Sequence, residues 1–115
     1  MILKEKQFVF ASLVPKLINR AINLGFQVTI GEVLRSPEEA KRLAKLGLGT
    51  MNSLHISKLA IDLNLFKNGI FLKKTEDHKK LGEWWELQST KDYTCTWGGH
   101  FGDGNHYSII HNGKK

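Results

Sequence analysis

From Leu59 to Phe66 the chain alternates with a period of two. Leu59, Ile61, Leu63 and Leu65 fall on one face, and Ala60, Asp62 and Asn64 share the other. No other stretch constrains the fold as strongly: it predicts a strand with one fully apolar face, and so a sheet packed against something else. It also sets a carboxylate inside an otherwise apolar run. A buried carboxylate is costly unless it is paired, hydrogen-bonded or bound to a cation. The rest of the sequence has to supply that partner.

The flanking segments predict the layer that covers the strand. Phe10, Leu13, Val14, Leu17, Ile18, Ala21 and Ile22 recur at helical spacing, with Gly25 as a stop and Pro15 as either a kink or an internal start. Phe26–Ile30 reads as a short strand. Ser36-Pro37-Glu38-Glu39 opens a helix that Gly47 ends, with Ser36 as its cap. A Gly-containing loop, Leu48–Asn52, follows. Asn68-Gly69 predicts a tight turn into Ile70–Leu72. Thr75 to about Gln88 predicts a third helix burying Leu81, Trp84, Trp85 and Leu87. Tyr93–Trp97 and His106–His111 are two further strands, separated by the Gly-rich loop Gly98–Gly104. Three helices with short antiparallel strands make an α+β fold. At 115 residues, 41% of them hydrophobic, the chain suits one domain over 1–115 with one core.

The partner for Asp62 is sought among the histidines. His55 lies just before the Leu59–Phe66 strand, and His106 opens the last one, three residues after Asp103. Two imidazoles and a carboxylate are a three-ligand zinc set, with a fourth position left for water. Asp103 would then stand where it can take a proton from that water. Two other readings use the same residues. A non-haem iron site also takes two histidines and a carboxylate, but its first pair is usually a closely spaced His-x-Asp, whereas His55 and Asp62 are seven apart. The plainest reading makes both histidines surface or hydrogen-bonded groups, with Asp62 capping a turn.

Four segments in order carry a resemblance: Arg35-Ser36-Pro37-Glu38-Glu39, then Ser53-x-His55 with Ala60-x-Asp62, then Trp97-Gly98-Gly99, then Asp103-Gly-Asn-His106-Tyr. Together they resemble the M15 zinc peptidases, the group of D-Ala-D-Ala carboxypeptidases and phage L-alanyl-D-glutamate endopeptidases. The resemblance runs from about Val28 to Ile110. It implies a Hedgehog/DD-peptidase-like fold, with His55, Asp62 and His106 as Zn2+ ligands and Asp103 as catalytic base. It also implies Arg35 as a contact to a substrate carboxylate or to the oxyanion, a task for which a planar, permanently charged guanidinium is suited. Ser53, His100 and Trp97 are further substrate-binding candidates. Three positions depart from the family pattern. Lys58 stands where glycine is usual, a strained choice if φ is positive there. Ala40 replaces glutamine. Ser108 replaces a glutamate that would orient a ligand.

The activity so implied is hydrolysis of a peptidoglycan stem peptide, with L-Ala–D-Glu endopeptidase ahead of D-Ala-D-Ala carboxypeptidase. A non-catalytic metal-containing envelope-binding module is the rival from another class. The net charge of +6 and pI near 9.6 favour anionic partners, whether nucleic acid, an acidic membrane surface or an anionic wall polymer, without choosing among them; the resemblance implies an anionic cell envelope and no nucleic acid. No apolar run approaches the ~20 residues that cross a bilayer, and the start Met1-Ile-Leu-Lys-Glu-Lys-Gln has no signal-peptide pattern. The expectation is a monomer made in the cytoplasm that acts on the wall after release. His78 is expected exposed on its helix, His111 structural or solvated, Lys114-Lys115 solvated, and the lone Cys95 packed as a small apolar residue.

Overall fold

The computed structural model describes residues 1–48 and 53–115. The predicted loop Leu48–Asn52 falls mostly outside them. Helix α1 spans Leu3–Asn23, starting ahead of the expected Phe10. Its first turn is capped from within, because the Glu5 carboxylate accepts the Ile2 N–H at 3.0 Å. Pro15 neither starts nor ends it. Phe10, Leu13, Leu17 and Ala21 form one buried stripe on either side of the proline, and that packing outweighs the lost hydrogen bond. Gly25, at φ +96°, closes the helix as expected: its own N–H reaches the Ile22 carbonyl and the Phe26 N–H the Ala21 carbonyl.

Strand β1 (Gln27–Ile30) leads to helix α2 (Pro37–Lys45), where Ser36 Oγ accepts the Glu39 N–H at 3.0 Å. Strand β2 (Ala60–Lys67) turns through Asn68 and Gly69, both at positive φ, into β3 (Ile70–Leu72). A 3₁₀ turn, Thr75–His78, runs into α3 (Lys79–Glu86). Strand β4 (Cys95–Trp97), a second 3₁₀ turn (Gly98–Phe101) and β5 (His106–Ile109) complete the chain. Both last strands are shorter than the sequence predicts. His111 leaves the sheet and bridges to Lys114 across an Asn112-Gly113 turn at positive φ. Leu87 lies past the end of α3 and is exposed.

The five strands form an antiparallel sheet in the order β1-β2-β5-β4, with β3 also on β2, so the fold is α+β as expected. Strand β2 organises it. One edge pairs with β1 over Leu63–Phe66. The other edge is divided, with β5 along Ala60–Asp62 and β3 along Leu65–Lys67, which leaves Asn64 between the two. Directly paired residues in an antiparallel sheet present their side chains to the same face. Leu59, Ile61, Leu63 and Leu65 therefore join Tyr107, Ile109, Cys95 and Trp97 on the face that buries α1 and α3. Asp62 and His106 share the opposite face. Cys95 packs as a small apolar residue; burial pushes its thiol up to about 12, where it is inert as a nucleophile.

His78 corrects the sequence reading. It is 3% exposed, not solvated, and its Nδ1 lies 2.7 Å from the Tyr107 hydroxyl beneath the sheet. The 3₁₀ turn that precedes α3 rotates it inward, out of phase with a helix begun at Thr75.

One glycine tests how tightly α3 docks. Alanine at Gly82 would favour the helix by about 1 kcal/mol from propensity alone. Its Cβ, however, would sit 2.1 Å from Cδ2 of the Trp97 indole. That ring cannot move freely, since its Nε1–H donates to the Gly104 carbonyl at 2.7 Å. Gly82→Ala is expected to lower unfolding free energy by about 1–3 kcal/mol, as overpacked cores do; urea denaturation measures the change and its sign.

Candidate metal centre

His55, Asp62 and His106 each bring one ligand-capable atom to a common region, all within 4.8 Å of one another. Each is held there by a different piece of backbone. Asp62 is fixed by the sheet on both sides: its N–H donates to the Glu32 carbonyl, its carbonyl accepts from Gly31, and it stands opposite His106 in the β2–β5 ladder. His55 sits in the turn before β2, which closes through Lys58 at φ +59°. This is the position where the resembling family has glycine, so lysine holds the left-handed conformation at some steric cost. His106 follows the Gly98–Asn105 loop. That loop closes on itself, since the Asp103 N–H donates to the Gly98 carbonyl and the His106 N–H to the Asp103 carbonyl. A Cβ at Gly98 would meet the Asp103 carbonyl oxygen at 2.2 Å and His106 Cβ at 2.8 Å, so only glycine lets the loop fold this tightly.

The tautomer of His55 follows from its neighbours. Its Nδ1 is 3.2 Å from the Val33 carbonyl, an acceptor only, so Nδ1 carries the proton and Nε2 keeps its lone pair. That Nε2 is 3.3 Å from Asp62 Oδ1, and His106 Nδ1 is 3.5 Å from the same oxygen. Ligands about 2.0–2.2 Å from one tetrahedral zinc stand roughly 3.3 Å apart. Asp62 Oδ1 and His106 Nε2 are buried without a hydrogen-bond partner among the described residues. An orphaned carboxylate oxygen facing two imidazoles, one with its lone pair already directed inward, fits a divalent cation of borderline softness.

The electrostatics agree with an anionic pocket waiting for positive charge. Burial pushes the Asp62 carboxyl up, but contact with His106 and His55 and the charge they carry outweigh it, leaving a pKa of about 2. Burial pulls His55 down, and Asp62, the Val33 carbonyl and Glu32 together raise it above its ordinary value. Asp103 is pushed up, first by burial and then by the charge of Asp62, against the pull of His106, His55 and Arg35. A carboxyl raised in this way is a better proton acceptor.

Asp103, Arg35 and Ser53 line the same cleft as the three ligand candidates, a space of about 410 Å³. Asp103 Oδ2 is 3.8 Å from His106 Nδ1. Arg35 forms an ion pair with Glu32, and the Glu32 carboxylate also lies 3.7 Å from His55 Nδ1. Ser53 Oγ accepts the His55 N–H at 3.2 Å, which ties the turn that carries the imidazole. Two candidates lie elsewhere. Trp97 is on the core face of β4, 6% exposed, with its indole N–H spent on Gly104. His100 turns away from the cleft and pairs with Glu86 at 2.8 Å. Ser108 is fully buried, its hydroxyl without a partner among the described residues, opposite Ala60 and Thr96. Ala40 is buried in α2.

Four residues at the site escaped the sequence reading. Phe101 lines the cleft, its ring edge-on to His106 with centroids 5.9 Å apart. Glu32 was passed over because it belongs to no spaced motif, although a carboxylate three residues before an arginine at a strand end is a usable signal. Lys114 and Lys115 border the cleft as well as being exposed.

Against known proteins, the fold is similar to that of the Serratia marcescens L-Ala D-Glu endopeptidase ChiX, with a TM-score of 0.58 and 20% identity over 84% of this chain and 79% of that one. At this identity the likeness is one of fold. No family model matches the chain, and no curated protein does.

The charge pattern gives a signed prediction for metal-free protein. Asp62 falls from 3.8 to about 2 on folding, so its contribution is present above about pH 4 and lost as pH drops through 2. The folded His55 pKa lies above 6.5, so its contribution is complete below 6.5 and lost as pH rises through the folded value. The difference in Tm between wild type and Asp62→Asn, both stripped with chelator, should be largest between about pH 4 and 6.5. A difference that does not vary with pH would contradict the pairing.

Proposed function

We propose that this chain is a zinc-dependent peptidase of the M15 group that hydrolyses a peptidoglycan stem peptide, with the L-Ala–D-Glu bond as its target. The observation that carries the reading is the convergence of His55 Nε2, Asp62 Oδ1 and His106 Nδ1 in a cleft that also presents Asp103 and Arg35. The shared fold with an L-Ala D-Glu endopeptidase supports the choice of bond.

His55, Asp62 and His106 would hold the ion. Zinc, when bound, supplies a Lewis acid that draws the pKa of a water towards ~7 and polarises a carbonyl. The remaining work belongs to the chain. The Asp103 carboxylate takes a proton from the attacking water as its oxygen bonds to the scissile carbon. When the C–N bond breaks, Asp103 returns that proton to the departing amine nitrogen. Arg35, held by Glu32, donates hydrogen bonds to the carbonyl oxygen as negative charge grows there. Glu32 keeps the guanidinium ready in the cleft, so little reorganisation is left for the reaction step.

The net charge of +6 would concentrate the protein on an anionic envelope, and no helix among the described residues is long and apolar enough to cross a membrane. The reading is of a single catalytic unit, acting as a monomer on the cell wall after release.

Asp103→Ala separates catalysis from metal binding. It should retain one zinc per chain while stem-peptide hydrolysis falls by about 10²–10⁴-fold; Asp62→Ala should lose the zinc as well. Hydrolysis by Asp103→Ala at the wild-type rate would remove Asp103 from its role, and wild-type protein inert on every muropeptide would sink the hydrolase. Mass spectrometry of the products distinguishes L-Ala–D-Glu cleavage from release of terminal D-Ala.

Arg35→Lys keeps the charge and loses the planar fork. A drop of about 10-fold or more in kcat with KM little changed is expected if the guanidinium meets the oxyanion; steady-state kinetics on one muropeptide reads the split.

A further inference from the structure

A second cavity adjoins the metal cleft, and nothing above gives it a task. It occupies about 230 Å³ at the place where β5 and β3 part along the shared edge of β2. Asp103 borders both spaces. The floor is rigid: the loop and the 3₁₀ turn meet backbone to backbone, and a Cβ at Gly104 would stand 2.6 Å from Thr75 Cα.

Its lining is rich in polar groups without partners among the described residues. The side chains of Asn64, Thr75 and Asn105 face this space, each half-buried, and none hydrogen-bonds to a described residue. His78 is buried in its wall. The Tyr107 hydroxyl reaches only His78 Nδ1 among the described residues, so it donates there and Nδ1 accepts. The ring proton of His78 is then on Nε2, which leaves that nitrogen a donor with no partner among the described residues. Burial holds His78 neutral, with a pKa lowered to about 4, so this donor persists at neutral pH. Lys73 and Lys74 stand at the rim, Lys74 3.9 Å from the Glu76 carboxylate, and their positive charge faces the Asp103 carboxylate across the lining. Donors backed by lysines select an anionic acceptor.

We propose that this cavity is a substrate subsite that takes a carboxylate from the amine side of the scissile bond. The proposal rests on the peptidase reading above. In that reading Asp103 hands a proton to the departing amine, so whatever is attached to that nitrogen lies on the Asp103 side of the cleft, where the cavity begins. For an L-Ala–D-Glu bond, the first group attached is a residue with a free α-carboxylate. Arg35, which lines the metal cleft but not this cavity, is then left for the oxyanion.

Three matched muropeptides test it with the zinc-loaded enzyme. One carries both amine-side carboxylates free, one has the D-Glu α-carboxylate amidated, and one has the third residue's carboxylate amidated. Wild type should favour the free acid over one amide by about tenfold or more in kcat/KM, the cost of losing a charged hydrogen-bond acceptor; the amide that suffers identifies the carboxylate. Asn64→Leu should erase most of that preference, bringing kcat/KM on the free acid down towards that on the disfavoured amide. Equal rates on all three substrates, or an equal loss on all three in Asn64→Leu, would overturn the subsite and leave the hydrolase standing. Binding is read separately by NMR, titrating the γ-D-glutamyl product peptide and following the His78 Nε2–H and Asn64 amide signals. Both should shift in wild type, whether or not hydrolysis is seen, and the His78 signal should stay put in Asn64→Leu. Signals unmoved in wild type would overturn the subsite.

Discussion

The structure turns on how Asp62 is kept in a sheet that would otherwise exclude it. Its backbone is bonded on one edge to Gly31 and Glu32 and stands opposite His106 on the other, so the carboxylate has no freedom to leave. A charge held this way must be answered by its surroundings. The answer is partial from protein alone. Two imidazoles approach to 3.3 and 3.5 Å, and the inward oxygen is still left without a hydrogen bond among the described residues. A bound cation would complete it. Burial, fixed geometry and an unsatisfied acceptor are thus three aspects of one requirement.

The neighbouring backbone serves the same point. Gly98 lets the Asp103 loop fold back against His106, and the Val33 carbonyl fixes which nitrogen His55 presents. Lys58 accepts a left-handed conformation to close the turn that carries His55. Strain of this kind, about 1 kcal/mol or more for a non-glycine residue, survives where the surrounding structure over-determines the geometry. On the other face of the sheet the apolar side chains of β2 and β5 bury α1 and α3. Stability therefore comes from one side and the candidate metal centre lies on the other, with β2 common to both.

Much of this was legible in the residues. The alternation from Leu59 to Phe66 gave the central strand, the Asn68-Gly69 pair gave the hairpin, and Ser36 gave a real cap. Position 58 does take positive φ, the case in which lysine is the strained choice. Failures came where tertiary packing or fine backbone geometry decides. Pro15 sits inside α1 because buried side chains on both sides hold the helix, and local propensity does not contain that information. His78 was assigned to a solvated face because a 3₁₀ turn shifts the phase of the residues after Thr75. Trp97 was placed near substrate because it adjoins the Gly-rich loop, but strand parity turns it to the core. Glu32 and the Asn64 cavity could not be found from spacing, since each depends on which strands share an edge.

The most direct test is X-ray absorption at the zinc edge of protein loaded with one equivalent of the metal. The account predicts a shell of two imidazole nitrogens and a carboxylate oxygen at about 2.0–2.2 Å, with one further light-atom position filled by solvent. Imidazole scattering that persists undiminished in both His55→Ala and His106→Ala, or zinc that fails to bind at all, would contradict it.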